Sequence, residues 1–288
     1  MAMTGQGCLK PRDRAALVDV FRRLALEAGD AILAIYAAGP RVRAKSDQSP
    51  VSDADETAEA LILAGLSQAA PHIPAIGEEA VAHGAAIMTG DRFILVDPLD
   101  GTREFISRNG EFTVNIALIE DGAPTAGVVY APALGRLWAT DGAGGGAWTA
   151  AAVGASGAGP HGALGAGPQD RAALRTRRAP AAGLTALASR SHGDAATEAF
   201  LRALPIAARE TAGSSLKFCR IAAGEADVYP RFGPTMEWDT AAGDAVLRAA
   251  GGCVVDATGA PLAYGKPGLR NGAFVAWGEN RPVMLAES

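Results

Sequence analysis

Phe93-Ile94-Leu95-Val96-Asp97-Pro98-Leu99-Asp100-Gly101-Thr102 joins a short apolar run to two carboxylates three positions apart. Four apolar residues that stop at Asp-Pro predict a buried strand, with the acids at its end. Pro98 fixes φ and bends the chain, so Asp97, Asp100 and the Leu99 carbonyl can converge on one point, while Gly101 admits close approach by a ligand. Oxygen-only ligands of this kind suit Mg²⁺ or Mn²⁺ rather than zinc. Read alone, an Asp-Pro-x-Asp-Gly string serves equally well as a solvated surface turn.

Working outward, Gly77-Glu78-Glu79 follows the apolar stretch 73–76 and again sets carboxylates at the end of a predicted strand. Asp55 stands at the start of a predicted helix opening at Ser52 or Asp53, with Ala58, Leu61, Ile62 and Leu66 inward and Pro71 ending it. Asp239, beside Trp238, opens another helix that runs to Ala250 and stops at Gly251-Gly252. Four acidic sites at the ends of regular elements fit a cluster converging on one cleft.

Further elements fill the frame. Leu17, Phe21, Leu24, Ala28, Ile32 and Ile35 recur at helical spacing behind Asp13, read as the capping residue. Hairpins are predicted for 113–119 with 126–130, and for 137–140 with 147–149. Strands are expected at 183–189, 226–229, 253–255 and 273–276, and helices at 194–204 and 215–223. From Ala150 to Pro168 the chain is nearly all Ala, Gly, Pro and Ser, read as a flexible excursion near a boundary. The expected organisation is therefore an N-terminal α+β domain (1–150) with most of the candidate ligands, and a C-terminal α/β domain (151–288) with Asp239. The fold class is a layered α/β (α+β) protein with mixed sheets.

Composition narrows the partners. The 288 residues carry a net charge of −5 with no dense Lys/Arg block, which argues against DNA or RNA polymers. An anionic small ligand would then require bound cations to reverse the local field. No apolar run approaches the ~20 residues of a membrane span, and residues 1–7 have neither a basic start nor a hydrophobic stretch. A cytoplasmic location is expected, with peripheral association at the inner membrane left open. Cys8, Cys219 and Cys253 form no metal or disulfide pattern.

The motifs Gly77-Glu78-Glu79, Asp97-Pro98-Leu99-Asp100-Gly101-Thr102 and Trp238-Asp239-Thr240-Ala241-Ala242-Gly243 together resemble the three signatures of the inositol monophosphatase superfamily, in the same order and spacing. The resemblance implies an αβαβα sandwich like that of inositol monophosphatase and fructose-1,6-bisphosphatase. It also implies a Mg²⁺-dependent, lithium-sensitive phosphomonoesterase using two or three ions, with Mn²⁺ as a substitute. By the same resemblance Glu78, Asp97 and the Leu99 carbonyl hold one metal, and Asp97, Asp100 and Asp239 a second. Glu79 supports them, and Asp55 with Thr102 activates the attacking water. Backbone N–H groups near Gly101 and Thr102 suit non-bridging phosphate oxygens.

Below superfamily level, residues 97–119 (DPLDGTREFISRNGEFTVNIALI) resemble the bisphosphate nucleotidase branch, as do Ser189-Arg190-Ser191-His192, residues 213–219 and residues 229–235. That branch implies hydrolysis of 3′-phosphoadenosine 5′-phosphate to AMP and phosphate, a reaction linked to sulfate assimilation. A nucleotide with two phosphates needs a second anion site, for which Arg190, Ser214, Ser215, Lys217 and Arg231 are candidates, with His192 able to hydrogen-bond ribose or phosphate. The alternatives are the same chemistry on inositol 1-phosphate or fructose 1,6-bisphosphate, and a metal-binding regulatory protein without turnover. Monomer and homodimer both remain open.

Overall fold

The computed structural model describes residues 8–44, 50–152, 170–189 and 195–278. The first half contains α1 (Pro11–Ala38), β1 (Val42–Ala44), β2 (Pro50–Ser52), α2 (Asp53–Ala69), β3 (Ala75–Gly77), α3 (Glu78–Ala82) and β4 (Arg92–Asp100). It continues with α4 (Thr102–Ile106), β5 (Thr113–Glu120), β6 (Ala123–Ala131), β7 (Arg136–Thr140), β8 (Ala147–Ala151) and β9 (Ala172–Leu174). The second half contains β10 (Leu184–Ser189), α5 (Ala195–Arg202), β11 (Ile206–Ala212), α6 (Leu216–Ala222), β12 (Val228–Arg231) and β13 (Thr235–Met236). It closes with α7 (Trp238–Ala249), β14 (Cys253–Asp256), β15 (Arg270–Asn271) and β16 (Phe274–Trp277).

Two sheets order the layers. The larger runs β3-β4-β5-β6-β7-β8-β9, antiparallel throughout except for the parallel β3–β4 pair. The smaller runs β11-β10-β12-β16-β14 and is mixed. Because side chains alternate along a strand, the larger sheet has two apolar faces. Ile94, Val96, Val114, Ile116 and Val128 pack on one side with Phe21, Leu24 and Ile32 of α1 and Ile62 and Leu66 of α2. Phe93, Leu95, Ala117, Ile119 and Val129 pack on the other with Phe218 of α6 and Trp238, Ala241 and Val246 of α7. The smaller sheet covers those two helices, and its far face carries Val228, Val275 and Trp277 against Leu201 of α5. The order is αβαβα, the sandwich expected from the family resemblance. α7 approaches the larger sheet so closely that a Cβ on Gly127 of β6 would lie 2.8 Å from the Ala242 carbonyl oxygen.

Several local expectations need correction. α1 begins at Pro11, with Lys10 at its cap, so Asp13 lies inside the first turn, where its charge favours the helix dipole. The strand expected to stop at Asp97 continues through Asp100 as β4. β11 was not foreseen: Ile-Ala-Ala-Arg-Glu-Thr-Ala is largely exposed at a sheet edge, so pairing with β10 rather than an apolar pattern makes it a strand. In the Ala150–Pro168 excursion, Ala150 and Ala151 belong to β8, and the rest from 153 lies outside the described residues. The first hairpin turn is tighter than expected, with Asp121 and Gly122 both at positive φ (49° and 74°), as a two-residue type I′ turn requires. Among the described residues, no helix is long and apolar enough to cross a membrane.

Candidate active site

Register explains how distant carboxylates meet. β3 pairs in parallel with β4, Gly77 opposite Val96, so Glu78 emerges beside Asp97. Asp97 and Asp100, three residues apart, would face opposite ways on a regular strand. In β4 they do not. Asp97 lies across from Asn115 and Asp100 across from Thr113, a register shift that gives β4 one more residue than β5. That bulge returns Asp100 to the face carrying Asp97. Asp239 arrives from the first turn of α7, and ligand oxygens of Glu78, Asp97 and Asp239 lie within 4.8 Å of one another. With Asp100 and the Leu99 backbone they line a cleft of about 270 Å³.

Backbone donors aim these groups. Leu99 N donates to Asp97 Oδ1 (3.1 Å), and Met236 N donates to Asp239 Oδ2 (2.8 Å). Ser215 Oγ lies 3.0 Å from Asp100 Oδ2 and 3.0 Å from the Asp239 carbonyl oxygen; its one proton serves one of them at a time. Asp55 sits in the first turn of α2 and completes a capping box with Ser52, accepting from Ser52 N at 2.8 Å and from Ser52 Oγ at 2.6 Å. Its Oδ1 also accepts from Thr102 Oγ1 (3.1 Å), shorter than the 3.4 Å from that hydroxyl to the Leu99 carbonyl. The Asp55–Thr102 pair therefore exists in the folded chain. Gly101, at φ 93°, turns the chain from β4 into α4 through a conformation costly for other residues.

The electrostatics are those of crowded acids. Burial raises Asp97 well above the usual carboxylate range, and Glu78, Asp100 and Asp239 add to the effect. Asp239 is raised well above its ordinary value by burial and then by Asp100. Burial pushes Asp100 up to about 6, against the opposing pull of Lys217. Asp55 is raised by burial too, although hydrogen bonds from Ser52 and Thr102 oppose the shift.

The candidate second anion site is partly assembled. Lys217 is buried and lines the cleft; burial lowers it to about 8, and its Nζ donates to the Ala212 (3.2 Å) and Ser214 (2.6 Å) carbonyls. Arg231 donates to the Pro234 carbonyl (3.2 Å), while its Nε is buried without a hydrogen-bond partner. Ser214 Oγ is also buried without one, on a residue at φ 45°. Gly101 and Ser214 line the cleft, and Ser215 reaches it through Asp100. Arg190 and His192 lie outside the described residues.

Three acids escaped the sequence reading. Glu104, on α4, is buried in the cleft wall, where its charge favours the Lys217 ammonium. Glu59 lies on the same face of α2 as Asp55, one turn on, and that spacing was the available signal. Glu237 accepts from Gly265 N (2.7 Å) and Lys266 N (2.9 Å), tying a remote loop to the start of α7; nothing local foretells that pairing.

The donor set fits a hard divalent cation: carboxylates of one sign, crowded around a buried Asp97, repel one another unless a cation neutralises them. Orphaned polar atoms border the same place. Thr113 Oγ1 and both side-chain heteroatoms of Asn115, directly across from Asp100 and Asp97, are buried without a hydrogen-bond partner.

This chain belongs to the inositol monophosphatase family, whose model matches residues 13–287. Enzymes of that family are metal-dependent. Within it, the chain is 44% identical over 250 residues to the 3′(2′),5′-bisphosphate nucleotidase CysQ of Escherichia coli O157:H7, covering 86% of this chain and 94% of that protein. The crystal structure of CysQ from Bacteroides thetaiotaomicron is similar with a TM-score of 0.76 and 39% identity, over 92% of this chain and 98% of that one. The extragenic suppressor protein suhB from Bartonella henselae is similar with a TM-score of 0.71 and 25% identity, over 92% and 94% of the two chains.

Proposed function

We propose that this protein is a Mg²⁺-dependent 3′(2′),5′-bisphosphate nucleotidase that hydrolyses 3′-phosphoadenosine 5′-phosphate to AMP and phosphate. The observation that carries this reading is the convergence of Glu78, Asp97, Asp100 and Asp239 beside a hydrogen-bonded Asp55–Thr102 pair, in a chain 44% identical to CysQ proteins. Glu78, Asp97 and the Leu99 carbonyl would hold one cation, and Asp97, Asp100 and Asp239 another. Bound there, the cations supply charge neutralisation of the phosphoryl oxygens and a lowered pKa for coordinated water. In this reading residues 1–150 provide four of these ligands, and residues 151–288 provide Asp239 and the second anion site.

The chain's own groups supply the remaining chemistry. Thr102 donates to Asp55, which leaves its oxygen lone pairs to accept from a water and orient it. As that water's oxygen bonds to phosphorus and the bond from phosphorus to the ribose oxygen breaks, the water proton passes to Thr102 Oγ1 and the Thr102 proton to Asp55. The departing ribose oxygen takes its proton from solvent, and Asp55 returns one to solvent before the next turnover. Desolvation makes Asp55 a stronger base than a solvated aspartate. The N–H groups that open α4 after Gly101 are oriented to hold non-bridging oxygens.

Selectivity for a bisphosphate rests on the cationic wall. Lys217 and Arg231 line the same cleft as the acids, and the buried Arg231 Nε and Ser214 Oγ are donors without acceptors, as a second phosphate would require. Phosphate release measured with Mg²⁺ on 3′-phosphoadenosine 5′-phosphate, inositol 1-phosphate and fructose 1,6-bisphosphate tests the assignment. The expected kcat/KM is at least about tenfold higher on the nucleotide, roughly what one charge-assisted hydrogen bond supplies. A preference for inositol 1-phosphate would overturn the substrate assignment, and no turnover on any of them would overturn the enzyme assignment.

A further inference from the structure

We infer that Glu59 is a positioning residue for the metal cluster, and that Gly77 is glycine because the Glu59 carboxylate occupies the space where a side chain would go. This rests on the metal reading of Glu78 given above and assigns how that ligand is aimed. Glu59 is 4% exposed, on the face of α2 that also presents Asp55. Its Oε2 accepts from Glu79 N (2.7 Å) and its Oε1 from Ala80 N (2.6 Å), the second and third residues of α3. Both carboxylate oxygens are thus engaged by the turn that begins with Glu78.

The packing beneath that turn is equally specific. A Cβ on Gly77 would lie 2.4 Å from the Glu59 carboxyl carbon and 2.5 Å from Oε2, far inside contact distance. Gly77 sits at φ −105°, where any residue is accommodated, so conformation does not demand glycine there; space does. The glycine of the Gly-Glu-Glu motif and a glutamate 18 positions earlier therefore form one device.

A five-residue helix cannot hold its own geometry, because nucleation costs more than so few hydrogen bonds return. The direction of Glu78, its first residue, is accordingly set from outside. Two sources set it: the β3–β4 pairing before it and the Glu59 carboxylate behind it. A carboxylate bridging two N–H groups acts as a bidentate clamp. An amide cannot reproduce this, since its NH₂ would face one of the donors. Removing the clamp leaves the chain folded around β3 and β4 but lets the Glu78 turn rotate, which weakens the cation site without touching Asp55 or Thr102.

The test is a calorimetric Mn²⁺ titration of the full chain, with far-ultraviolet circular dichroism as the control on folding. Wild type, E59Q, G77A and E59Q/G77A are compared, with D97N as the variant that loses a ligand outright. We expect E59Q and G77A each to weaken Mn²⁺ binding about tenfold or more, and the double variant to bind no more weakly than the weaker-binding single. Mn²⁺ affinity within twofold of wild type in folded E59Q, or additive losses in the double variant, would overturn the positioning role. Loss of native dichroism in both single variants would also overturn it, by making Glu59 a folding element. If wild type itself takes up no Mn²⁺, the metal reading fails rather than this refinement of it.

Discussion

Replacing Asp100 with asparagine should stabilise the protein without metal and destroy its response to metal. Asp100 is a partly exposed residue lining the cleft, and burial of its carboxyl raises the pKa from 3.8 to about 6. At about 1.4 kcal/mol per pKa unit, that rise corresponds to roughly 3 kcal/mol of unfavourable charge burial above pH 6. That rise is already net of the attraction of Asp100 for the Lys217 ammonium, and solvent screening of a partly exposed residue reduces it further. A net gain on the order of 2 kcal/mol for metal-free D100N at pH 7.5 is expected. The sign follows from linkage. A group whose folded pKa lies above its unfolded value leaves stability intact below the unfolded pKa, and stability is lost as pH rises through the folded one. The advantage of D100N should therefore be absent near pH 4, develop between pH 4 and 6, and be complete above. Asparagine keeps an oxygen able to accept from Ser215, so the comparison isolates charge. Mg²⁺ should invert the order: a ligand at a hundred times its Kd stabilises by about 2.7 kcal/mol, which wild type gains and D100N does not. Urea denaturation of both proteins in EDTA and in excess Mg²⁺, from pH 4 to 8, measures all of this, with phosphatase activity expected to be abolished in D100N. Metal-free D100N less stable than wild type at pH 7.5, or equal stabilisation of both by Mg²⁺, would refute the reasoning.

Thr102→Val removes the hydroxyl between the water position and Asp55 while preserving shape, and Asp55→Asn removes the base behind it. Each should lower kcat by about 10²–10⁴, the usual contribution of positioned acid–base groups, with Mn²⁺ affinity by calorimetry nearly unchanged. For Lys217, held at about 8 by burial, substrate affinity should be full below pH 8 and decline as the ammonium deprotonates above it. The KM for 3′-phosphoadenosine 5′-phosphate should accordingly rise between pH 8 and 9.5, and K217M should show a raised KM without that rise.

Much of the site was legible because its chemistry is local. Asp97, Asp100, Glu78 and Asp239 each follow an apolar run or open a helix, and the three motifs that carry them resemble one family's signatures. Asp55 is legible as a helix-start acid, whereas its link to Thr102 follows from the family resemblance and from the hydrogen bond between them in the fold. Less was visible where residues act through space. Glu59 and Glu104 read as ordinary helix acids until folding buries them against α3 and in the cleft wall. Glu237 gains its meaning only from residues 265–266.

The fold was legible to a similar depth. Apolar periodicity marked α1, α2 and α7, and alternation with turn residues marked both hairpins. β11 was missed because an edge strand with polar side chains carries no hydrophobic pattern. What the chain determined by itself was the inventory: which residues are apolar at which period, where turns are allowed, and which oxygen-bearing side chains stand at element ends. Tertiary structure alone decided orientation. The extra β4 residue between Asp97 and Asp100 turns two acids to one face, and α7 closes on Gly127 to bring Asp239 to them. The physical reason is that register and helix docking are chosen by cross-strand hydrogen bonds and packing between residues far apart in sequence, which local propensity does not encode.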